Sequence, residues 1–286
     1  LLGVLGLALT VVLFYPGGDN HASAATGTLR LEDIPFNGAR AFEYLRQLCD
    51  IGPRPSGSAG MAAQREMLTA HFQRLGGEVR LQQFSGADPR DGRPVPMANL
   101  MVHWHPDKRD RILLCAHYDT LPFPMLDRQN PRGRFVGAND GGSGVAVLME
   151  LGNEMAALQC RYGIDFVFFD AEEYIFRPQD RYFLGSEYFA RQYRDQRPGY
   201  RYRYAVLLDM VGDADLQIYQ EKHSMGWRDS RPLVQDIWAT ARRLGVREFI
   251  PRQKYSIKDD HLALHDIAGI PSCDIIDFDY PSWHTQ

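Results

Sequence analysis

The sequence lacks the cysteine patterns of a thiolate metal site and of a small disulfide-stabilised protein. Its four cysteines are widely spaced, and none of them forms a CxxC pair: Cys49, Cys115, Cys160 and Cys273. Because Cys115 and Cys273 lie within apolar, strand-like runs, we expect them to pack in the core. In an exported protein, one disulfide that involves Cys49 or Cys160 would be compatible with the sequence.

A strong charge of either sign, internal repeats and low-complexity linkers are also absent. The net charge is −4 and the isoelectric point is near 6.1, so no broad basic surface is expected and nucleic acid is excluded as a partner. The 286 residues are 44% hydrophobic and 12% aromatic, as in globular proteins. A chain of this length can bury a large core, and we expect a single α/β domain.

An almost wholly apolar run, Leu1 to Tyr15, is too short to cross a membrane comfortably. Small residues follow it, and residues 23–25 (Ser-Ala-Ala) suit a signal-peptide cleavage site. We therefore predict that residues 1–27 are an export signal or an uncleaved anchor, and that residues 28–286 form the folded domain. The protein would then be periplasmic or secreted, with membrane contact only through an N-terminal anchor.

Apolar periodicity predicts alternating helices and strands over the rest of the chain. The predicted helices are 41–48, 60–75, 145–157, 185–194 and 231–244. The predicted strands are 79–84, 99–104, 111–116, 166–169, 204–212 and 272–278. Because only a short turn, 105–110, separates the second and third strands, we expect these two strands to form a hairpin.

The stretch from Phe166 to Asp180 is the most informative part of the chain. A short aromatic run, Phe166 to Phe169, is followed at once by a block of carboxylates that includes Glu172 and Glu173. Ligands in open α/β sheets bind beyond the carboxyl ends of the strands, so these glutamates lie where chemistry is expected. Adjacent side chains point to different sides of the chain, so one glutamate can bind a metal while the other handles a proton. Alternatively, both glutamates cap the next helix.

Acidic and histidine side chains recur at the predicted strand ends and in the loops just beyond them. They are His117, Asp119, Asp140, Glu172, Glu173, Asp209, Asp259, Asp260, His261 and His284. Each has a structural explanation on its own, such as an N-cap for Asp140. If the strands are neighbours, however, these groups converge, and crowded carboxylates with histidine and no thiolate favour a metal such as zinc.

The motifs that carry these residues resemble a known family. They are HYD at 117–119, GANDGGSG at 137–144, DAEE at 170–173, LLDMVG at 207–212, DDH at 259–261 and WHT at 283–285. In this order they resemble the zinc aminopeptidase and glutaminyl cyclase superfamily, with similarity over most of the chain after Ala41. The resemblance implies a three-layer sandwich with a mixed, mainly parallel sheet between helices. The superfamily usually continues into a C-terminal helix after the last histidine, so we also expect a truncated C-terminus.

The superfamily contains two chemistries. In an aminopeptidase, the resemblance places one zinc on His117, Asp140 and Asp209, a second on Asp140, Glu173 and His284, and water activation on Glu172. In a glutaminyl cyclase of the animal type, a single zinc is held by Asp140, Glu173 and His284, and an N-terminal Gln becomes pyroglutamate with loss of ammonia. Glu172 then shuttles the proton, Asp209 and Asp260 form an acidic pair that orients the leaving amide, and Trp283 is a wall of the substrate site.

The cyclase interpretation is preferred, and peptide or protein N-termini are the expected substrates. PQD at 178–180, DDH at 259–261 and WHT at 283–285 resemble the cyclases, whereas GANDGGSG resembles the aminopeptidases. The loop 174–177 is shorter than in the animal enzymes and lacks their tryptophan. A third hypothesis is an inactive homologue that keeps the metal and the fold, although the presence of Glu172 with a complete ligand set argues against it.

Several other residues are interpreted as structural. We expect no metal ligand among His71, His103, His105 and His223. His261 is expected to orient Asp260 or its loop, and Trp227 and Trp238 are expected to pack in the core or on the surface. Arg54 and Arg177 are predicted to be surface arginines.

Overall fold

The computed structural model describes residues 30–286 and contains a six-stranded mixed sheet at its centre. The strands are β1 (Glu78–Ala87), β2 (Pro94–Trp104), β3 (Asp110–His117), β4 (Gly163–Phe169), β5 (Arg201–Asp209), β6 (Ile218–Gln220), β7 (Phe249–Gln253) and β8 (Ser272–Ile276). The central sheet has the order β1-β2-β4-β3-β5-β8, and β6 and β7 form a small sheet of their own. Strands β4, β3, β5 and β8 are parallel, whereas β1 and β2 are antiparallel.

Helices cover both faces of the central sheet. They are α1 (Gly38–Ile51), α2 (Ala59–Arg74), α3 (Ser143–Met155), α4 (Leu184–Gln196), α5 (Lys222–Gly226), α6 (Arg231–Arg243) and α7 (Asp260–Asp266), after a 3-10 turn at Leu31–Asp33. One apolar core lies between the sheet and α1, α2, α3 and α6. A second core lies between the sheet and helices α4 and α7. The predicted three-layer α/β sandwich with a mainly parallel sheet is therefore confirmed.

Strand β3 shows why the sheet lies in the middle of the molecule. Ile112 and Leu114 contribute to the core on one face, and Leu113 and Cys115 contribute to the core on the other face. All four side chains are buried. A strand that is apolar on both faces needs a layer of helices on each side, which is the arrangement observed.

The predicted hairpin between the second and third strands is wrong. Strand β4 lies between them: Leu100 of β2 is opposite Phe168 in the antiparallel pair, and Cys115 of β3 is opposite Val167 in the parallel pair. Every residue of β4 is buried, so this strand requires a neighbour on each edge. Strand β1, which is partly exposed along its length, takes the edge of the sheet and forms the hairpin with β2.

Sequence periodicity also missed the short elements. The motif Asp259-Asp260-His261 was expected in a loop, but α7 begins at Asp260, and the Asp259 carboxylate accepts the Asp260 N–H at 2.6 Å as its N-cap. Helix α5 and strands β6 and β7 were not predicted. Each of these elements has seven residues or fewer, which is too few turns or alternations for a periodic pattern.

All four cysteines are unpaired, so the disulfide that involves Cys49 or Cys160 is not formed. Cys115 and Cys273 are buried in the core, as predicted.

The predicted export signal or anchor, residues 1–27, lies outside the described residues. Within residues 30–286, no helix combines the length and the apolar character needed to cross a membrane.

Candidate metal and catalytic site

The carboxyl ends of the four parallel strands form one edge of the sheet, and the predicted site residues meet there. His117 ends β3 and Asp209 ends β5. Glu172 and Glu173 follow the end of β4, and Asp140 lies in the loop before α3. These positions are distant in sequence, so only the parallel pairing of β4, β3 and β5 brings them together.

The donor atoms form two overlapping groups. Within the described residues, one ligand atom from each of His117, Asp140 and Asp209 lies within 4.8 Å of the others, and the same is true of Asp140, Glu173 and His284. His117 Nε2 lies 3.2 Å from Asp140 Oδ1 and 3.2 Å from Asp209 Oδ1. His284 Nε2 lies 3.4 Å from Asp140 Oδ2 and 3.4 Å from Glu173 Oε2. Asp140 thus belongs to both groups and joins them.

Several residues at this edge of the sheet have unusual backbone conformations. Ala171, Met210 and His284 have φ angles of 57°, 46° and 56°, in the left-handed region that non-glycine residues rarely adopt. Gly141 has a φ angle of 79°, and a Cβ there would lie 2.3 Å from the carbonyl oxygen of Asp119. Strained residues of this kind cluster at functional sites, where the surrounding structure holds them.

Asp119 holds the two glutamates through their backbone. It is fully buried, and its carboxylate accepts the N–H of Glu172 at 2.9 Å and the N–H of Glu173 at 3.2 Å. The Leu121 N–H donates to Glu173 Oε1 at 2.6 Å. The glutamates do not cap a helix, because α4 begins only at Leu184. The sequence placed Asp119 at the site without assigning it this role.

Asp140 is also not a helix cap. The N-cap of α3 is Gly142, without a side-chain hydrogen bond. The loop is held instead by Ser143, whose hydroxyl donates to the Asn139 carbonyl at 2.6 Å and accepts the Val211 N–H at 2.9 Å. The Asp140 carboxylate is therefore free to contribute to both groups of donor atoms.

Burial and mutual repulsion shift the pKa values of these groups. Burial, followed by the negative charge of Asp140, raises the pKa of Glu173 well above its usual value. Burial also raises the pKa of Asp209. For His117, burial lowers the pKa, but the hydrogen bonds to the surrounding carboxylates outweigh this effect and leave the pKa well above its usual value.

A second group of acids lies behind the donor atoms. Burial and nearby negative charge, including that of Asp209, raise the pKa of Asp260 to about 7 and raise the pKa of Asp259 well above its usual value. Asp274, on β8, is buried with both carboxylate oxygens unpartnered, and its pKa is also raised well above its usual value by burial and the charge of Asp259. The sequence analysis missed Asp274, which lies inside an apolar strand; a carboxylate in such a strand was the available signal.

An apolar wall borders Asp209. An apolar cluster beside it contains buried Met210 and Ile257, and Trp283 packs against this cluster. The Trp283 ring also lies against the His284 ring, with centroids 4.1 Å apart. Trp283 is thus a neighbour of the donor groups, whereas Met210 and Ile257 were not identified from the sequence. Tyr182 was also missed. Burial, followed by the charges of Glu172 and Glu173, raises its pKa to about 12.

The histidines and tryptophans that were interpreted as structural make packing and hydrogen-bond contacts. His71 and His105 contact the carbonyls of Met149 and Met155, His103 pairs with Asp165, and His223 packs near Trp227. Trp227 stacks on His265, and buried Trp238 donates to the Ile250 carbonyl. None of these histidines belongs to a donor group found in the described residues.

His261 is a member of neither donor group found in the described residues. Its Nε2 lies 3.4 Å from Glu221 Oε2, and its Nδ1 lies 3.9 Å from Asp274 Oδ2. Glu221 in turn accepts the Ile257 N–H at 3.1 Å. His261 therefore supports the loop before α7 through Glu221, and no hydrogen bond to Asp260 is formed.

The prediction that Arg54 lies on the surface is wrong, whereas Arg177 is exposed as predicted. Arg54 is fully buried, and its guanidinium donates to the carbonyls of Gly52, Val136 and Gly137 at 2.9, 2.8 and 3.1 Å. It thereby ties the end of α1 to the loop that carries Asp140. The sequence around Arg54 is a polar, proline-rich turn, which gives no local indication that its arginine points inward.

We expect Arg54→Met to destabilise the protein by about 3–5 kcal/mol, because several buried carbonyls lose their donor. Arg203→Met is the matched control, because Arg203 is exposed, and its free energy of unfolding should change by less than about 0.5 kcal/mol, as is usual for exposed side chains. Urea unfolding followed by circular dichroism measures both values. Equal stability of the two variants would show that Arg54 contributes nothing specific to the fold.

The donor set fits a zinc-type metal ion. Carboxylate oxygens and imidazole nitrogens without thiolate suit zinc and other borderline or hard cations. His117 Nδ1 and Asp140 Oδ2 are buried without a hydrogen-bond partner. A cation would also relieve the repulsion that raises the pKa values of Glu173 and Asp209.

Comparisons with known proteins agree with this arrangement. Residues 99–286 match peptidase family M28. The chain is 24% identical to the bovine (Bos taurus) glutaminyl-peptide cyclotransferase over 268 residues, which are 82% of this chain and 71% of the bovine protein. The crystal structure of Fimbriiglobus ruber glutaminyl cyclase superposes with a TM-score of 0.85 at 38% identity, covering 93% of this chain and 91% of that one. A Zn-dependent exopeptidase from Parabacteroides distasonis gives a TM-score of 0.81 at 32% identity, covering 88% and 90%.

Proposed function

The chain belongs to peptidase family M28, and from this premise we propose that it is a glutaminyl-peptide cyclotransferase, which converts the N-terminal glutamine of a peptide into pyroglutamate and releases ammonia. The observation that carries the proposal is the pairing of Glu172 with a complete ligand set beside an apolar wall. A bovine and a bacterial relative are both glutaminyl cyclases. A wall of Met210, Ile257 and Trp283 suits the methylenes of a glutamine side chain, with acids nearby for its amide.

In this proposal, Asp140, Glu173 and His284 hold one zinc ion. When bound, the metal would act as a Lewis acid that polarises the carbonyl of the substrate's side-chain amide. Leu121 fixes the Glu173 carboxylate through its N–H, at 2.6 Å. Asp119 fixes the backbone that carries this glutamate, so the ligand is positioned before substrate arrives.

Glu172 moves the proton. The α-amino nitrogen of the substrate attacks the side-chain carbonyl carbon, and Glu172 accepts the proton that this nitrogen loses. A new carbon–nitrogen bond closes the five-membered ring. Glu172 then gives the proton to the amide nitrogen as the old carbon–nitrogen bond breaks, and ammonia leaves. The Asp119 carboxylate, which accepts the Glu172 N–H at 2.9 Å, keeps the main chain of Glu172 in place through both transfers.

Asp209 and Asp260 orient the leaving amide nitrogen. Both are buried, and within residues 30–286 neither carboxylate oxygen of Asp260 has a hydrogen-bond partner. Burial and nearby carboxylates, Asp209 among them, raise the Asp260 pKa to about 7. An amide N–H₂ group supplies two donors, and two acceptors that share one proton suit it.

A second candidate function is hydrolysis of N-terminal residues by a dinuclear aminopeptidase. The observation in its favour is the second donor group, in which His117 and Asp209 join Asp140. In that case Glu172 would take a proton from water instead of from an amine. An inactive metal-binding homologue is the third candidate, and the presence of Glu172 beside an intact ligand set argues against it.

The decisive experiment uses the purified, zinc-loaded protein with a Gln-initiated and a Leu-initiated peptide of otherwise identical sequence. Mass spectrometry follows the products. Loss of ammonia from the first peptide, with the second unchanged, supports the cyclase. Release of free leucine or free glutamine overturns the cyclase proposal in favour of the aminopeptidase, and no turnover of either peptide favours the inactive homologue.

A further inference from the structure

The loop of residues 174–183, called here the 174–183 loop, begins and ends on the backbone of the two glutamates. The Ile175 N–H donates to the Glu173 carbonyl at 2.7 Å, and the Phe183 N–H donates to the Glu172 carbonyl at 2.9 Å. Phe183 has a φ angle of 62°, a strained conformation that turns the chain back to the site. The loop therefore starts and finishes at the proposed catalytic centre.

A compact turn forms the middle of this loop. The Asp180 Oδ2 atom accepts the N–H groups of Phe176 and Arg177, each at 2.9 Å. The Asp180 N–H in turn donates to the Arg177 carbonyl at 2.9 Å. These hydrogen bonds give the loop a defined shape.

The tip of the β1–β2 hairpin, residues 88–93, is a rigid turn built on Asp88. The Asp88 carboxylate binds the Arg90 side chain at 2.7 Å and accepts the Arg90 N–H at 2.9 Å. The Asp88 carbonyl accepts the Gly92 N–H at 2.8 Å, and the Asp88 N–H donates to the Arg93 carbonyl at 2.8 Å. Asp88 is only 5% exposed, and its hydrogen bonds to Arg90 lower its pKa to about 2.

The hairpin tip holds the outer side of the 174–183 loop by three separate contacts. The Tyr174 hydroxyl donates to Asp88 Oδ2 at 3.3 Å. The Arg90 guanidinium lies 4.2 Å from the centre of the Phe176 ring, within the range of a cation–π interaction. The Arg177 side chain donates to the Pro89 carbonyl at 3.2 Å.

On its inner side, the same loop meets the proline-rich segment that borders the donor groups. The Phe176 ring packs edge-on against the Phe123 ring, with centroids 6.1 Å apart. Phe123 lies two residues after Leu121, whose N–H holds Glu173. Farther along the same segment, the Leu126 N–H donates to the carbonyl of the ligand His284 at 3.1 Å. Phe176 thus contacts the hairpin tip through Arg90 on one side and the segment that contains Phe123 on the other.

We propose that the hairpin tip is a clamp, and that Asp88 and Arg90 are positioning residues that hold the 174–183 loop and Phe176 as one wall of the substrate-binding site. The proposal rests on the proposed function only in placing the substrate's N-terminal residue at this site. The clamp affects substrate binding, and therefore KM, but not the chemical step. Asp119 binds the backbone N–H of Glu172 independently of the hairpin.

The test compares Arg90→Gln with Arg93→Gln. Arg93 pairs with Asp91 on the same turn, at 2.7 Å, and touches no residue of the 174–183 loop through a hydrogen bond or ion pair found in the described chain. We expect Arg90→Gln to raise KM about three- to tenfold with kcat within about twofold of wild type, whereas Arg93→Gln leaves both constants unchanged. Tyr174→Phe removes one hydroxyl and no charge, and it should raise KM in the same direction.

Hydrogen exchange gives a readout that does not depend on the reaction. In Arg90→Gln, the Phe176 and Arg177 amides should exchange faster than in wild type and in Arg93→Gln. An unchanged KM with unchanged exchange, or equal shifts in Arg90→Gln and Arg93→Gln, would overturn the clamp. If Arg90→Gln unfolds, Tyr174→Phe decides the same two questions.

Failure of the clamp and failure of the cyclase proposal give different results. If wild type releases free amino acids, the kinetic comparison is made on the Leu-initiated peptide, and the expected KM shift is the same. If wild type turns over neither peptide, the exchange rates of the Phe176 and Arg177 amides decide the clamp on their own.

Discussion

Glu172→Gln should lower kcat about 10³-fold, within the usual range for loss of a general acid–base group, and should leave the metal content and the fold intact. The amide is nearly isosteric with the carboxylate but cannot accept the proton of the attacking amine. Burial, followed by nearby acids, raises the Glu172 pKa well above its usual value, so the charged form is the costly one in the folded state. Removing that charge should therefore not lower the thermal transition of the protein.

Glu173→Gln is the matched control, because it makes the same chemical change one residue away. Glu173 contributes to a donor group and Glu172 does not. We expect the Glu173 variant to lose metal as well as activity, whereas the Glu172 variant loses activity alone. Metal analysis and steady-state kinetics on both variants check this result. Loss of metal in Glu172→Gln, or activity above about 10% of wild type, would contradict the role assigned to Glu172.

Asp140→Asn weakens metal binding at both donor groups at once. Asp140 is shared by the two groups, so its loss removes a ligand from each. The affinity should fall by more than about 100-fold, since even a lost outer-shell partner costs 10–100-fold. Competition with a chelator of known affinity measures the change. Retention of tightly bound metal by Asp140→Asn would show that neither donor group is the metal site.

His117→Ala then reports the number of metal ions. Among residues 30–286, His117 belongs only to the group with Asp209, and His284 belongs only to the group with Glu173. In the proposed cyclase, wild type and His117→Ala each hold one equivalent of zinc and His284→Ala holds none. A fall from two equivalents to one in His117→Ala would identify a dinuclear site and favour the aminopeptidase. Elemental analysis of the purified proteins distinguishes these outcomes.

The strand ends show why much of the site was predictable. A carboxylate or histidine that ends an apolar run can be recognised in the sequence. The apolar run identifies a buried strand, and its last residue marks the edge of the sheet at which the site forms. This reasoning identified His117, Glu173 and Asp209, which the structure brings into the donor groups. Asp140 and His284 lie in loops, where no periodic signal exists, and they were identified only as acidic and histidine residues near predicted strand ends. The resemblance of the motifs then supplied the grouping of all five residues as ligands.

Strand order and inward-facing polar residues were not predictable in the same way. The hairpin between β2 and β3 was a reasonable local interpretation, but β4 takes the place between them because it is buried throughout and needs two neighbours. Arg54 binds a carbonyl far away in the sequence, that of Val136. Asp274 lies near other buried acids, such as Asp259. A pattern along the chain cannot show that a polar side chain turns inward.

By itself, the sequence determined the α/β class, the helices and strands of the core, and the residue types at the rim, because these depend on local apolar periodicity and on the chemistry of each side chain. Only the tertiary structure decided that Asp140 joins two donor groups, that Asp119 holds both glutamates and that the hairpin tip contacts the 174–183 loop. Those relations depend on which strands pair and how the loops pack across them. Pairing is settled by burial summed over the whole sheet, which no single stretch of the chain contains.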